Sequence, residues 1–176
     1  MKKVLVVVDM QNDFIDGALG TKEAVEIVEK VASRIKSFEG KIFVTLDTHQ
    51  DNYLETAEGQ KLPVPHCIKM TKGWDLNERV MEALAGKDYK TIEKGTFGST
   101  KLVEEVRQAA ENNVIEIELI GLCTDICVVS NALLLKAYFP EVNMRVDAAC
   151  CAGVTPMSHQ AALETMKMCQ IDVINE

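Results

Sequence analysis

A cysteine that follows a strand-like run is the first residue of this sequence that could do chemistry. The β-branched run at 114–120 predicts a strand, and the apolar run at 128–139 predicts a buried helix. Cys127 would then lie in the first helical turn, with Thr124 or Asp125 as the N-cap. Unpaired N–H groups and the positive end of the helix dipole favour a thiolate there. The pattern indicates a nucleophile, the alternative being a small buried packing residue.

Two further residues could complete a nucleophilic unit with Cys127. Asp9 ends the first predicted strand and Lys94 follows the third. The ammonium group of Lys94, together with the helix terminus, would lower the pKa of the Cys127 thiol. A partly desolvated Asp9 could take the thiol proton and return it to a leaving group, and N–H groups of the turn before Cys127 could hold an oxyanion. The alternatives are a turn-capping role for Asp9 and a solvated surface position for Lys94.

A second group of residues has the donor types of a metal site. Asp47 and His49 stand at the end of the second predicted strand, and His66 lies in the long loop that follows. Glu55 and Glu58 lie between the histidines and could add an oxygen ligand. Two imidazoles and a carboxylate suit a divalent metal, but the spacing is also compatible with hydrogen bonding inside a polar loop.

The predicted elements alternate between strand and helix and place these side chains together. This order indicates a doubly wound, mainly parallel six-stranded sheet with helices on both faces, a three-layer α/β/α fold. Such a sheet gathers ligands at the carboxyl ends of its strands, where Asp9, Asp47, Lys94 and Cys127 all fall. His159 lies on the last predicted helix and is interpreted as structural. The predicted strands are 2–9, 41–47, 89–93, 114–120, 142–147 and 171–174; the predicted helices are 21–38, 75–85, 99–111, 128–139 and 155–168.

Composition limits the possible functions. The 176 residues suit one domain, 1–176, and a net charge of −8 argues against nucleic-acid binding and against an anionic membrane surface. No apolar run reaches membrane-spanning length, and the N-terminal run lacks a signal-peptide cleavage site, so we expect a cytoplasmic protein. The six cysteines show no paired zinc spacing, and no glycine-rich phosphate loop follows a strand.

Five short segments give the chain a resemblance to a known family. They are VDMQNDF at 8–14, DTH at 47–49, PHC at 65–67, EKG at 93–95 and GLCTDICV at 121–128. Together, in this order and over essentially the whole chain, they resemble the isochorismatase-like cysteine hydrolases, and the nicotinamidase branch in particular.

The resemblance implies a catalytic triad and an oxyanion hole. The triad falls on Asp9, Lys94 and Cys127, and the oxyanion hole on the backbone N–H groups of Cys123 and Cys127. A cis peptide bond between Leu122 and Cys123 is implied in the turn before the nucleophile.

The same resemblance implies a metal and a ring pocket. A divalent metal, in many members zinc, would be held by Asp47, His49 and His66, with Glu58 as the better-placed additional carboxylate. The metal would bind a pyridine nitrogen, and Phe14 would pack beside the ring. Members commonly carry an aromatic residue just before the later metal histidine, whereas this chain has Pro-Val-Pro at 63–65, its single Trp at 74 and Phe97 after Lys94.

These features predict a cysteine amidohydrolase that cleaves a small carboxamide, with nicotinamide as the leading substrate, nicotinate and ammonia as products, and a place in NAD metabolism. The alternatives are a hydrolase of another small amide or of a vinyl ether, and a non-catalytic small-molecule binding protein. We expect a homo-oligomer, as is usual among the members that the chain resembles.

Overall fold

The computed structural model describes residues 2–111 and 115–176. Its strands are β1 (Lys2–Val8), β2 (Lys41–Asp47), β3 (Tyr89–Lys94), β4 (Ile115–Leu122), β5 (Asn143–Ala152) and β6 (Asp172–Ile174). Its α-helices are α1 (Asn12–Ile15), α2 (Lys22–Ser37), α3 (Ala57–Lys61), α4 (Glu78–Leu84), α5 (Thr100–Ala110), α6 (Val129–Tyr138) and α7 (Pro156–Met168). A short 3₁₀ helix spans Tyr53–Glu55, and a π-helical turn spans Thr124–Val128.

The six strands form one parallel sheet in the order β3-β2-β1-β4-β5-β6. Alternate residues of β1 enter different cores: Val4 and Val6 pack with residues of α5, α6 and α7, whereas Leu5 and Val7 pack with residues of α1, α2 and α4. Helices therefore cover both faces, as predicted, and the near-continuous apolar run of β1 is typical of a strand that is buried on both sides. The order reverses between β1 and β4, which is where a doubly wound sheet opens its ligand crevice.

The ends of β1 and β4 approach each other closely at Gly121. This glycine has φ of +118°, and a Cβ atom there would lie 2.2 Å from the carbonyl oxygen of Val8. Glycine is the residue that tolerates both the backbone conformation and the contact. Val8 precedes Asp9, so this contact brings the end of the first strand against the segment that leads to Cys127.

Several boundaries differ from those predicted. The helix predicted from Asp75 begins at Glu78 with Asn77 as its N-cap, because the preceding residues pair with the segment after β1: Asn12 N–H donates to the carbonyl of Asp75, and Asn77 N–H donates to that of Met10. The predicted start of this helix at Asp75 was therefore wrong.

Other differences concern short elements and strand lengths. The chain reverses after β1 through α1, which was not predicted from the sequence, and the loop at 48–73 contains a 3₁₀ turn and α3. Strand β5 extends to Ala152, beyond the predicted end at 147, because its pairing with β4 continues across a register shift between Leu119 and Gly121. The predicted start of β4 at Val114 lies outside the described residues. Among the helices of the described part, none is long and apolar enough to cross a bilayer.

Candidate active site

Asp9 follows β1 and is fully buried. Its backbone has φ of +46°, in the left-handed region that non-glycine residues seldom adopt. The Thr45 hydroxyl donates to Oδ1 of Asp9 over 2.6 Å, and Oδ2 lies 2.7 Å from Nζ of Lys94. Burial raises the pKa of the Asp9 carboxyl; the Lys94 ammonium opposes this rise and the Asp47 carboxylate adds to it. A desolvated carboxyl with a raised pKa can exchange a proton near neutral pH.

Lys94 is the last residue of β3 and lies between the other two groups. Besides Asp9, its ammonium contacts Oδ1 of Asp47 at 3.3 Å and Sγ of Cys127 at 3.4 Å. Burial acts to lower the pKa of Lys94, but the neighbouring acidic groups outweigh burial and raise it. Lys94 is therefore a fixed cation, and the solvated surface position that was its alternative is wrong.

Cys127 lies inside the π-helical turn that joins β4 to α6. Neither predicted N-cap is correct: the turn is preceded by Cys123, Thr124 bonds to His159, and Asp125 accepts from Val154 N–H. A π turn is a local widening of a helix that is common at functional sites. Here it buries the thiol among the strand ends.

The pKa of Cys127 moves opposite to the sequence-based expectation. Burial, reinforced by the Asp9 carboxylate, raises the pKa of the thiol well above its ordinary value, although Lys94 acts to lower it. A lowered pKa was therefore a wrong prediction, since the sequence does not reveal how deeply the thiol is buried. A thiol whose pKa is raised needs a base to remove its proton before attack.

The turn before the nucleophile has the predicted backbone. The peptide bond between Leu122 and Cys123 is cis, as the resemblance implied. The carbonyl of Cys123 accepts the N–H groups of Ile126 and Val128 at 3.1 and 3.0 Å, which curls the chain tightly before Cys127. An oxyanion hole formed by the N–H groups of Cys123 and Cys127 remains a prediction.

The four candidate metal ligands converge next to this triad of side chains. One donor atom each of Asp47, His49, Glu58 and His66 lies within 4.8 Å of the others. Oδ2 of Asp47 is 3.0 Å from Nε2 of His49 and 3.5 Å from Nε2 of His66, and Oε1 of Glu58 is 3.7 and 3.6 Å from the same two nitrogens. The cluster contains Glu58, at the start of α3, and does not contain Glu55.

The orientation of His66 and the charge of Asp47 suit a divalent cation. Nδ1 of His66 donates to the carbonyl of Val64 over 2.8 Å, so Nε2 is the ring nitrogen that faces the other ligands. Burial acts to raise the pKa of Asp47, but hydrogen bonds from His49 and His66 lower it below its usual range, which keeps the carboxylate ionised. Two imidazole nitrogens and two carboxylate oxygens form a donor set that fits Zn²⁺.

Aromatic rings surround the two histidines. Tyr53 packs edge-on against His49 and His66, with ring centroids 4.7 and 5.0 Å apart, and its hydroxyl donates to the carbonyl of Leu62. This ring was not predicted from the sequence, although it lies in the same loop as both histidines. Phe14, the predicted substrate-binding residue, is buried with its centroid 5.5 Å from that of His66.

Two residues whose roles were not predicted from the sequence hold the metal loop. Gln11 accepts the N–H of Asp47 and donates to the carbonyls of Asp47 and Trp74. Trp74 donates its indole N–H to the hydroxyl of Thr48 over 2.9 Å, and Thr48 separates Asp47 from His49. A polar residue just after a strand was the available signal for Gln11, but its distant partners are not visible in sequence.

His159 does not join the triad or the metal cluster. Its Nδ1 lies 2.7 Å from Oγ1 of Thr124, the first residue of the π turn. Burial lowers the pKa of His159, and the nearby Asp125 acts against this shift. The structural interpretation of His159 is compatible with this position, since the residue braces α7 against the nucleophile turn.

Comparisons with known proteins agree with this geometry. The family model described as Isochorismatase domain matches residues 3–175. A Bacillus subtilis (strain 168) protein, described as the uncharacterized isochorismatase family protein PncA, is 30% identical, with 93% of each chain covered. The nicotinamidase/pyrazinamidase of Mycobacterium tuberculosis is 24% identical, with 98% of each chain covered.

Solved structures share the fold over the full length. The structure of nicotinamidase/pyrazinamidase PncA from Bacillus subtilis superposes with a TM-score of 0.84 at 27% identity, covering 99% of this chain and 100% of its own. Pyrazinamidase of Pyrococcus horikoshii in complex with zinc gives 0.77 at 26% identity, with 100% of each chain covered. The fold and the buried cysteine site define a class of three-layer α/β/α hydrolases. Within that class, the chain belongs to the isochorismatase domain family, which confirms the resemblance and the predicted fold.

Proposed function

We propose that this protein is a metal-assisted cysteine amidohydrolase that converts nicotinamide to nicotinate and ammonia. One observation carries the proposal: the Lys94 ammonium lies 2.7 Å from the Asp9 carboxyl and 3.4 Å from the Cys127 sulfur, directly beside a four-ligand metal cluster. This arrangement unites an acid–base group, a nucleophile and a fixed cation in one buried place.

Family membership and the relatives support the class, a hydrolase acting on an amide C–N bond. The curated relatives from Mycobacterium tuberculosis and Saccharomyces cerevisiae are named nicotinamidases. The following stay predictions for this chain: nicotinamide as the substrate, a cytoplasmic location, a role in NAD metabolism, a single domain and a homo-oligomeric state.

The first half of the proposed reaction forms a thioester. Asp9 removes the proton of the Cys127 thiol, and the sulfur attacks the carboxamide carbon. The N–H groups of Cys123 and Cys127 hold the resulting oxyanion. The carbon–nitrogen bond then breaks as Asp9 transfers its proton to the departing nitrogen, which leaves as ammonia.

The second half releases the acid. Asp9, again ionised, takes a proton from a water molecule as that water attacks the thioester carbon. The carbon–sulfur bond breaks, the proton returns from Asp9 to the Cys127 sulfur, and the product leaves as the carboxylic acid, which loses its proton to water as nicotinate. Lys94 keeps its charge throughout and stabilises whichever neighbour is anionic.

The metal ligands have a separate task in this proposal. Asp47, His49, Glu58 and His66 would hold a divalent ion, for which we propose Zn²⁺, and the ion would supply a Lewis-acid contact to the pyridine nitrogen of the substrate. Phe14, against His66, would then pack on the pyridine ring. These residues orient the substrate so that its carboxamide faces Cys127.

Hydrolysis of nicotinamide by the zinc-loaded protein tests the proposal, with ammonia and nicotinate measured separately. We expect turnover by the wild type and a loss of about 10³-fold or more in Cys127→Ala, as is usual when a nucleophile is removed. Cys169→Ala is the matched control, because Cys169 is exposed and should leave the rate unchanged. Hydroxylamine added during turnover should divert the thioester to the hydroxamate.

The same experiment separates the alternatives. A wild type that is inactive on nicotinamide but hydrolyses another small amide or a vinyl ether would overturn the substrate. A protein that binds these compounds without turnover would be a binding protein. Full activity in Cys127→Ala would overturn the mechanism.

A further inference from the structure

Asn131 is a fully buried polar residue in the apolar helix α6. Its side-chain amide makes three hydrogen bonds. Oδ1 accepts from the N–H of Ser99 over 3.0 Å, and Nδ2 donates to the carbonyls of Cys127 and Phe97 over 2.8 and 3.0 Å. One donor partner and two acceptor partners are compatible with only one orientation of the amide.

The amide of Asn131 connects the backbone of Cys127 with the loop that follows Lys94. On one side it holds the backbone of Cys127 itself. On the other side it holds Phe97 and Ser99 in the short loop after Lys94, and the same loop contacts the lysine because Nζ of Lys94 donates to the carbonyl of Thr96 over 3.1 Å. The connection bridges segments more than thirty residues apart in sequence.

We infer that Asn131 is a positioning residue that sets the distance between the Cys127 sulfur and the Lys94 ammonium. The inference builds on the proposed function for its rate measurement, and it has a second readout, the reactivity of the Cys127 thiol, that needs no substrate. Asn131 touches none of the reacting atoms, so its effect passes mainly through the backbone of Cys127, whereas the loop at 95–99 keeps its own contact with Lys94 through the carbonyl of Thr96.

Two variants separate the bond to Cys127 from the other two bonds. A threonine inside a helix can donate its hydroxyl to the carbonyl four residues earlier. Thr165 does this in α7, where Oγ1 donates to the carbonyl of Ala161 over 3.0 Å. Asn131→Thr can therefore keep the bond to the Cys127 carbonyl, whereas Asn131→Val, which has nearly the same shape as threonine, loses it. Both variants lose the bonds to the loop.

The test compares these two variants with the wild type, all zinc-loaded and at equal concentration of folded protein determined by circular dichroism. We expect Asn131→Val to lower kcat about 10- to 100-fold with KM changed much less, because a nucleophile displaced by a fraction of an ångström loses rate of this order. The rate of Cys127 alkylation by iodoacetamide, followed by peptide mass spectrometry, should differ from the wild-type rate by a similar factor. Asn131→Thr should retain kcat and alkylation within about threefold of the wild type.

The control is Thr165→Val, which removes a hydrogen bond of the same kind from an exposed position and should leave both readouts unchanged. Equal kcat and equal alkylation rates in Asn131→Val and the wild type would overturn the inference, as would equal losses in the Thr and Val variants. If the wild type hydrolyses no amide, the alkylation readout still decides the role of Asn131, so failure of the proposed function is distinguishable. If Asn131→Val does not fold, Asn131→Thr decides alone. A kcat more than about threefold below that of the wild type would overturn the inference, and a kcat within about threefold of the wild type would support it.

Discussion

The Thr45 hydroxyl donates to Oδ1 of Asp9 over 2.6 Å, while Oδ2 of the same carboxyl faces Lys94. Thr45 also accepts from the backbone N–H of Asp9 at 3.3 Å. These contacts fix the rotation of the carboxyl, so that one oxygen is held by β2 and the other is directed toward the nucleophilic unit. Thr45 is the side chain that orients the proposed acid–base group.

Replacement of Thr45 by valine should therefore shift the pH dependence of the reaction. The Asp9 carboxylate loses a hydrogen bond to its charged form, so its already raised pKa rises further and the acid limb of the kcat profile moves to higher pH. A hydrogen bond to a charged group contributes about 1.5 kcal/mol or more, which corresponds to about a tenfold loss in kcat. The measurement is the rate of ammonia release between pH 5 and 9.

The matched control for this variant is Thr91→Val, an exposed threonine on the edge strand of the same sheet. That variant should keep the wild-type profile. An acid limb that does not move in Thr45→Val would show that the hydroxyl does not tune Asp9.

Glu58→Gln should weaken metal binding. Oε1 of Glu58 lies within 3.7 Å of both imidazole nitrogens of the cluster, and the loss of one charged oxygen should reduce zinc affinity at least about tenfold. Zinc competition with a chromophoric chelator measures the change. Glu55→Gln provides the comparison, since Glu55 lies outside the cluster; equal losses in both variants would contradict the assignment of Glu58.

Gly121→Ala should destabilise the fold. The new methyl group would lie 2.2 Å from the carbonyl oxygen of Val8, and φ of +118° is unfavourable for alanine. We expect a loss of about 3 kcal/mol in the free energy of unfolding, from overpacking and backbone strain together. Urea denaturation measures it.

Gly86→Ala isolates the backbone contribution of this effect. Gly86 has φ of +76°, and a methyl group added there would have nothing within 4 Å, so its loss should be about 1 kcal/mol. Similar losses at the two glycines would show that the contact with Val8 is relieved by a small strand movement.

His159 should make folding stability depend on pH. Its pKa in the folded state is below the unfolded value, because burial disfavours the charged ring. The folded state therefore binds fewer protons, and its stability is fully present above the unfolded pKa, about 6.5, and declines as the pH falls below it. His159→Gln removes this titration, so the wild type should lose stability relative to the variant between pH 7 and 5. Parallel stability curves over this interval would contradict the prediction.

The sequence was sufficient to predict the sheet because β1, β2 and β4 are rich in β-branched residues and because strand-like and helical runs alternate along the chain. It was insufficient at places where distant segments meet. The start of α4 is delayed because Asn77 bonds to Met10, and no local pattern near Asp75 reveals this contact. Short elements such as α1 and α3 also lack the length for a recognisable apolar period.

The candidate site shows the same limit. Side chains that can take part in chemistry could be recognised from the sequence at the strand ends. The resemblance also predicted the cis bond that the structure contains. The direction of the pKa shift at Cys127 was wrong because it depends on burial. Gln11, Thr45 and Asn131 were missed because each is an ordinary polar residue whose importance comes from partners far along the chain.

The indole of Trp74 is bonded to Thr48, the residue between two candidate metal ligands, and Trp74 is the single tryptophan of the chain. Its emission spectrum is therefore a label-free optical reporter of the metal loop. A titration with zinc in a fluorimeter can follow occupancy of the cluster in the unmodified protein, before any substrate has been identified.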